Sequence, residues 1–335
     1  MRMSRVLLAL TLLLGASLGF ARIGQPAEVA VQALDEQGLL NLAAEERFEL
    51  DTVLAGDLLY RLSGEAVASE ENFARLGSAI GSATGFGEQI AVPVSDFLEA
   101  NLDGILQAGT AVIPIEGNFL LELSLTEDEA GSVIIDWDFG LLERQAEAFQ
   151  EARHALGAPA DSARVVIREY ADLQCPHCGR FAAEVMPIIE ELLAADAGLR
   201  FEFHHLPLVS IHANAIPAAE AAECIAAAGE GSETFFGISS LIFERMQAWA
   251  QLPDPGPYFV RLAQENGFAT EGVAECLASR EQLAYIQEAA LHATQDLAVQ
   301  GTPTVFVDGF QVAAWNQKAS YEELIGLVDA RRAEP

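Results

Sequence analysis

Arg164-Val165-Val166-Ile167-Arg168-Glu169-Tyr170 leads into Cys175-Pro176-His177-Cys178, after which Phe181, Val185, Ile188, Ile189 and Leu192 recur at helical spacing. The first run is short and β-rich, and reads as a strand. The last set lines one side of a helix expected from Cys178 to Ala195. The two cysteines therefore fall where a strand passes into a helix. Cysteines two residues apart can close a small, strained disulfide. A sulfur at a helix start also meets unpaired backbone N–H groups and the positive end of the helix dipole. Both effects favour the thiolate, which is the nucleophile and leaving group of disulfide exchange. Pro176 suits a first helical turn because it has no N–H to lose there. On this reading Cys175 is the exposed, attacking sulfur and Cys178 the buried, resolving one. His177, with its ring near Cys175, would donate to the thiolate and make the disulfide more oxidising.

A structural disulfide or half of a zinc site are the alternatives for the same four residues. Zinc needs two more ligands, and the chain has no second CxxC. His204, His205 and His212 are the nearby candidates. Adjacent His204 and His205 on a strand point to opposite faces, which makes joint chelation awkward and favours ordinary strand positions.

Downstream, Phe201 to Leu208 reads as a second strand, and residues 213–299, rich in Ala, Glu, Gln and Leu, as several helices in succession. Thr304-Val305-Phe306-Val307, Asp308-Gly309 and Phe310-Gln311-Val312 read as strand, turn and strand, since Asp-Gly favours a hairpin. A last amphipathic helix is expected from about Ala319 to Arg331. Upstream, residues 22–140 carry no cysteine. Phe119, Leu121, Leu123 and Leu125 alternate with mostly polar residues, as do Val133, Ile135, Trp137 and Phe139 after a Gly131-containing turn. Both arms predict antiparallel strands with one buried face. Residues 29–62 and 95–107 look helical, and Gly77, Gly81, Gly85 and Gly87 mark a loop or a helix end. Leu142, Ala146, Phe149, Ala152 and Leu156 predict a linker helix over 141–158, closed by Gly157-Ala158-Pro159-Ala160.

Arg2, Arg5 and the apolar run Val6–Phe20, with small residues Gly19 and Ala21, read as a secretory signal cut near Ala21. The apolar run is short for a membrane span, so an uncleaved anchor is the lesser alternative. The expected location is extracytoplasmic, periplasm or cell envelope, where disulfides persist. About 314 residues remain after that cut, which argues for two domains. Fifty acids stand against 18 bases, a net charge of −32, with Lys318 the one lysine. That balance argues against nucleic-acid phosphates and anionic lipid heads as partners. Four cysteines permit two disulfides. If Cys175 and Cys178 pair locally, Cys224 and Cys276 are left for each other.

The order of elements and motifs resembles the DsbA-like branch of the thioredoxin fold over about residues 160–333. Five features carry the resemblance: the Pro-His dipeptide between the cysteines; Glu169 six residues ahead of Cys175; Gly301-Thr302-Pro303-Thr304; Leu206-Pro207-Leu208 with His212; and the Ala-rich run into Cys224. It implies an α/β thioredoxin-like fold over 159–335 with a helical insertion at about 212–299. A smaller α+β domain of unrecognised kind precedes it over 22–140. It further implies a cis peptide at Pro303 beside the disulfide, where Thr302 and Pro303 would meet an extended substrate strand. Glu169 is implied as a buried acid that shuttles the Cys178 proton, and Cys224–Cys276 as a structural bridge, with a second redox pair as the alternative. Asp172 is secondary.

The expected activity is that of an exported thiol–disulfide oxidoreductase that introduces disulfides into exported polypeptides and is reoxidised by a quinone-linked membrane partner. No haem, flavin or nucleotide motif is present, so no cofactor is implied. The rivals are a disulfide isomerase or reductase with an N-terminal dimerisation domain, and a client-binding chaperone or metal carrier. The motifs leave the oligomeric state open.

Overall fold

A computed structural model describes residues 6–7, 23–40, 42, 46–115 and 117–333. Apart from Val6 and Leu7, the expected leader lies outside the described residues. The chain divides into two units, Met1–Glu143 with Glu322–Pro335, and Arg144–Tyr321.

The first unit is a six-stranded sheet covered on one face by helices. Its elements are β1 (Val6–Leu7), α1 (Ala27–Glu36), β2 (Asp51–Ala55), β3 (Leu58–Val67), α2 (Glu70–Thr84), α3 (Glu88–Ala108), β4 (Thr110–Ile115), β5 (Phe119–Glu127) and β6 (Val133–Leu141), in the sheet order β1-β4-β5-β6-β3-β2. The expected hairpin is present as β5 and β6, with Leu121 opposite Phe139 and Leu123 opposite Trp137. These inward residues are buried while Glu122 and Asp136 face outward, the period-two signature of a half-buried sheet.

Two expectations for this unit are corrected. Residues 29–62 are helical only to Glu36, and β2 and β3 follow. Their helix-tolerant residues are drawn into strands because β6 offers β3 a ladder of backbone partners from Arg61 to Val67, and tertiary pairing overrides local preference. The two-residue connection Gly56-Asp57, with Gly56 at φ 56°, is the hairpin signal that a helical reading passes over. The glycine-rich stretch, read as a loop or a helix end, divides: Gly77 and Gly81 lie inside α2, whereas Gly85 closes it in the left-handed conformation at φ 78° and is the expected helix end. A Cβ on Gly77 would sit 2.2 Å from the Ala91 carbonyl oxygen, and one on Gly81 2.4 Å from that of Gly87. These glycines let α2 and α3 touch backbone to backbone.

The second unit holds β7 (His154–Gly157), β8 (Val165–Ala171), α4 (Pro176–Arg180), α5 (Met186–Ala195), β9 (Leu199–His205), helices α6 (Ala215–Ala228), α7 (Ser232–Glu244), α8 (Met246–Trp249), α9 (Gly256–Glu265), α10 (Val273–Ser279) and α11 (Leu283–Gln295), then β10 (Thr304–Val307) and β11 (Phe310–Gln311). The sheet order is β11-β10-β8-β9-β7, with β8 and β9 parallel and the other pairs antiparallel. This is a thioredoxin-like fold with a helical insertion between β9 and β10. A last helix, α12 (Lys318–Ala333), begins in this unit and from Glu322 groups with the first. The single helix expected after the cysteines is interrupted by a π-turn at Phe181–Val185. Pro187 has no N–H to give to the preceding turn, so the ladder shifts by one residue ahead of it.

The linker helix expected over 141–158 is absent. That stretch is the end of β6, one 3-10 turn at Ala146–Ala148, and β7. From Ala146 onward its apolar positions belong to the second unit and form no helix face. Phe149 meets Phe306 edge-on at 5.5 Å, and His154–Gly157 pair with β9 to close the sheet edge.

His204 and His205 do face opposite ways. His204 stacks on Tyr170 at 4.7 Å, whereas His205 Nε2 is 2.8 Å from Glu223 Oε1 on α6. His154 Nε2 lies 3.1 Å from both oxygens of the same carboxylate, and Arg153 donates to Oε2 at 2.9 Å. Burial works to raise the Glu223 pKa, but the hydrogen bonds from His154 and His205 outweigh it and hold the carboxyl well below its usual range. One buried acid thus joins β7, β9 and the helical insertion, next to the Cys224–Cys276 disulfide. Removing a buried charge's partner leaves the rest uncompensated, so Glu223→Ala is expected to cost about 3 kcal/mol or more in urea unfolding of the disulfide-intact chain. A loss of under ~1 kcal/mol, the range of an exposed pair, would show that the cluster does not hold the insertion.

Candidate active site

Cys175 caps α4 in an extended conformation (φ −77°, ψ 124°), and Pro176 takes the first helical position. The Cys175 N–H donates to the Asp172 carbonyl at 2.9 Å, and the Gly179 N–H donates back to the Cys175 carbonyl at 3.0 Å. The turn from β8 is therefore closed before the helix begins. Both sulfurs are unbridged. Cys178 is fully buried and Cys175 is 4% exposed, so the attacking sulfur is less open than its expected role suggested. The reason is packing: both cysteines belong to one apolar cluster with Leu173, Phe203, Ala221, Cys224 and Ile225.

The two thiols are driven apart electrostatically. The Cys175 pKa falls to about 5, chiefly because the Cys178 thiol donates to its sulfur, and Thr302 and the backbone N–H groups of Cys178 and His177 add to this against the cost of burial. Burial pushes the Cys178 thiol well above its ordinary value, and its bond to Cys175 and the nearby Glu169 charge push it further. One sulfur is a thiolate at neutral pH and the other a thiol. His177 contributes through its backbone. Its ring is exposed, with Nδ1 3.4 Å from an Arg180 guanidinium nitrogen, and the expected donation from ring to thiolate is not what the structure shows.

The Thr302–Pro303 peptide is cis, and the Thr302 carbonyl lies 3.5 Å from Cys175 Sγ. Pairing of β10 with β8 brings this segment to the sulfurs, setting Thr304 opposite Tyr170 and Val305 opposite Glu169. Glu169 is 4% exposed, and burial, with the Cys175 charge, raises its pKa to about 8. Cys175, Cys178, Glu169, Thr302 and Pro303 thus come together, although Glu169 and Thr302 are far apart in sequence. Cys224 and Cys276 are bridged with sulfurs 2.01 Å apart, within the helical insertion. Among the described residues no group of three or more His, Cys, Asp or Glu is arranged to hold a metal ion.

Sequence reasoning undervalued a second set of residues. Asp172 has a fully buried carboxylate that accepts from the Gln174 N–H at 2.7 Å, the Leu208 N–H at 2.9 Å and His212 Nδ1 at 2.7 Å. The Gln174 side chain accepts from the Asn214 N–H at 2.7 Å and donates to the Ala250 carbonyl at 2.9 Å. The available signal was Asp172 and Gln174 on either side of Leu173 directly before the redox turn, where a buried polar group needs internal partners.

A thioredoxin family profile matches residues 150–330. One curated relative, Na(+)/H(+) antiporter NhaA 3 of Salinispora tropica, is 28% identical over 264 residues, covering 77% of this chain and 38% of the relative. The chain thus spans well under half the length of that relative. Among solved structures, BdbD from Bacillus subtilis in its oxidised form is 21% identical, with a TM-score of 0.46 over 55% of this chain and 96% of that one. DsbA of Chlamydia trachomatis is 18% identical, with a TM-score of 0.47 over 56% and 96%. Among the described residues no helix is long and apolar enough to cross a membrane.

The titrations have opposite signs. Glu169, raised from 4.5 to about 8, contributes stability that is present below its unfolded pKa and lost as pH rises through about 8. Cys175, lowered from 9.0 to about 5, contributes stability present above pH 9.0 and lost as pH falls through about 5. In the reduced protein the two oppose each other between these limits. In the oxidised protein Cys175 does not titrate, so its opposition to the Glu169 loss is removed. Urea unfolding of the oxidised chain is therefore expected to show stability falling from pH 5 to 8, and Glu169→Gln to flatten that fall. An unchanged slope in the variant would show that Glu169 is not the buried acid responsible.

Proposed function

The chain belongs to the thioredoxin family, and on that premise we propose that it is an exported thiol–disulfide oxidoreductase that introduces disulfides into secreted or envelope proteins. The observation that carries the reading is the split between its two thiols: Cys175 ionises near 5, whereas Cys178 is held protonated. A couple whose reduced form is stabilised in this way is readily reduced, and so acts as an oxidant.

In the forward reaction a substrate thiolate attacks Cys175 Sγ of the enzyme disulfide. The bond between the two enzyme sulfurs breaks, and Cys178 leaves with the electron pair. Glu169, protonated at neutral pH by its burial, supplies the proton that Cys178 takes up. A second substrate thiolate then attacks the substrate sulfur of the mixed disulfide and expels Cys175 as a thiolate. Its low pKa makes it a good leaving group. The substrate has lost two electrons and two protons: the enzyme keeps both electrons as one thiolate and one thiol, one proton restores Glu169 and the other passes to the medium. Thr302 and Pro303, beside Cys175, are the residues for an extended substrate segment to meet. A quinone-linked membrane protein is the proposed acceptor of the two electrons, and Cys224–Cys276 is proposed to be structural.

The test is the equilibrium of the Cys175–Cys178 pair against glutathione buffers, in a Cys224→Ala, Cys276→Ala background. The pair is expected to be reduced even where oxidised glutathione is abundant. Cys175→Ser should abolish oxidation of a reduced, unfolded polypeptide. A pair that stays oxidised in strongly reducing glutathione would sink the donor reading and point to a reductase or isomerase.

A further inference from the structure

We propose that Asp172 and His212 act together as positioning residues, a clamp that sets the turn carrying Cys175 and so tunes its thiolate. The inference rests on the redox reading of the Cys175–Cys178 pair and adds to it two residues that touch no reacting atom through their side chains.

Asp172 reaches both cysteines with its backbone. Its carbonyl takes the Cys175 N–H at 2.9 Å, and its own backbone hydrogen bond acts on the Cys178 sulfur. Rotation about the Asp172 backbone would therefore move both anchor points together. Its side chain is fully buried, where a carboxylate without donors is strongly disfavoured. Three donors satisfy it. Two are backbone N–H groups, of Gln174 and Leu208, and the third is His212 Nδ1 at 2.7 Å, the shortest contact on Oδ2. His212 belongs to the connection between β9 and α6, and its own N–H donates to the Leu208 carbonyl at 2.9 Å. Leu208 and His212 thus grip one oxygen from a single loop, while Gln174 holds the other.

A parallel tie fixes the loop in turn. The Gln174 side chain accepts from the Asn214 N–H, and the Asn214 amide donates to the carbonyls of Trp249, Ala250 and Leu252 at 3.3, 3.1 and 2.9 Å. The redox turn is consequently cross-braced to the start of the helical insertion at two points. Asp172–His212 is the one made by side chains alone. Thiolate stabilisation at Cys175 relies on the Cys178 thiol and on backbone N–H groups of His177 and Cys178 being aimed at the sulfur. Their direction follows from the turn that Asp172 closes. Loss of the His212 donor leaves a buried oxygen with one partner and lets that turn relax, and the N–H groups lose their alignment.

The test uses the full-length reduced protein and three variants: His212→Ala, His212→Phe and His212→Asn. Phe keeps ring bulk without a donor, and Asn keeps a donor close to the Nδ1 position without the ring. Cys175 ionisation is read from thiolate absorbance and from the pH dependence of iodoacetamide alkylation. The oxidation equilibrium is read against glutathione. His212→Ala and His212→Phe are expected to raise the apparent pKa of Cys175 by roughly one unit, and to make the pair ~tenfold less oxidising. His212→Asn is expected to restore wild-type behaviour. If Ala unfolds the chain, the contrast between Phe and Asn still decides. Phe matching the wild type, or Asn shifting as far as Phe, would overturn the clamp. A wild-type chain lacking any low-pKa thiol would instead overturn the redox reading, and the clamp with it.

Discussion

The Cys178 thiol gives a hydrogen bond to the Cys175 sulfur, and the arrangement of the second unit follows from making that bond one-directional. Two equivalent thiols would share a proton and neither would be a competent leaving group. Here Cys178 is fully buried, and burial keeps its proton on. Cys175 sits at a helix start, where backbone N–H groups converge on it. The strand-to-helix turn supplies one sulfur with donors and denies the other solvent. That asymmetry is a matter of placement within a few ångströms, so the turn itself has to be rigid.

Rigidity comes from polar groups inside an apolar cluster. Asp172, Gln174, His212 and Asn214 are linked to one another and to the helical insertion by hydrogen bonds. A buried network of this kind specifies one arrangement because every alternative leaves a group unpaired. Glu223 does the equivalent work farther out, binding β7, β9 and α6 through two histidines and an arginine. Glu169 is the exception. It is buried beside the sulfurs, and burial with the Cys175 charge keeps its carboxyl protonated. A group left in so unfavourable a state next to a thiol with a raised pKa is suited to passing a proton.

Much of this was legible from local pattern. The alternation in Phe119–Leu125 and Val133–Phe139, the strand before Cys175 and the helical stripe after it are period-two and period-3.6 signals, which depend only on side-chain order. The CxxC spacing and Pro176 are equally local. The errors came where distant pairing overrode such signals. Leu142, Ala146, Phe149, Ala152 and Leu156 fit a helix face, yet the chain there forms a 3-10 turn and then a strand that pairs with β9. Residues 51–62 fit a helical reading, but β2 pairs with β3, and β3 from Arg61 onward pairs with β6. Gly77 and Gly81 looked like loop residues because nothing in the sequence says that another backbone lies against them.

The amino-acid sequence alone determined the chemistry available: two cysteines at a strand-to-helix junction, an acid ahead of them, a Thr-Pro segment far downstream, and enough helix-forming residues between for an insertion. Short-range spacing carries that information because it is set by covalent geometry. Only the tertiary structure decided that both sulfurs are buried, that Glu169 is buried close enough to Cys175 for their charges to interact, that the His177 ring turns toward Arg180, and that Asp172 is held by His212. Those outcomes depend on burial and on packing around the turn, and the Asp172–His212 contact joins residues 40 positions apart. Desolvation and hydrogen bonding act through space, and no local pattern encodes them.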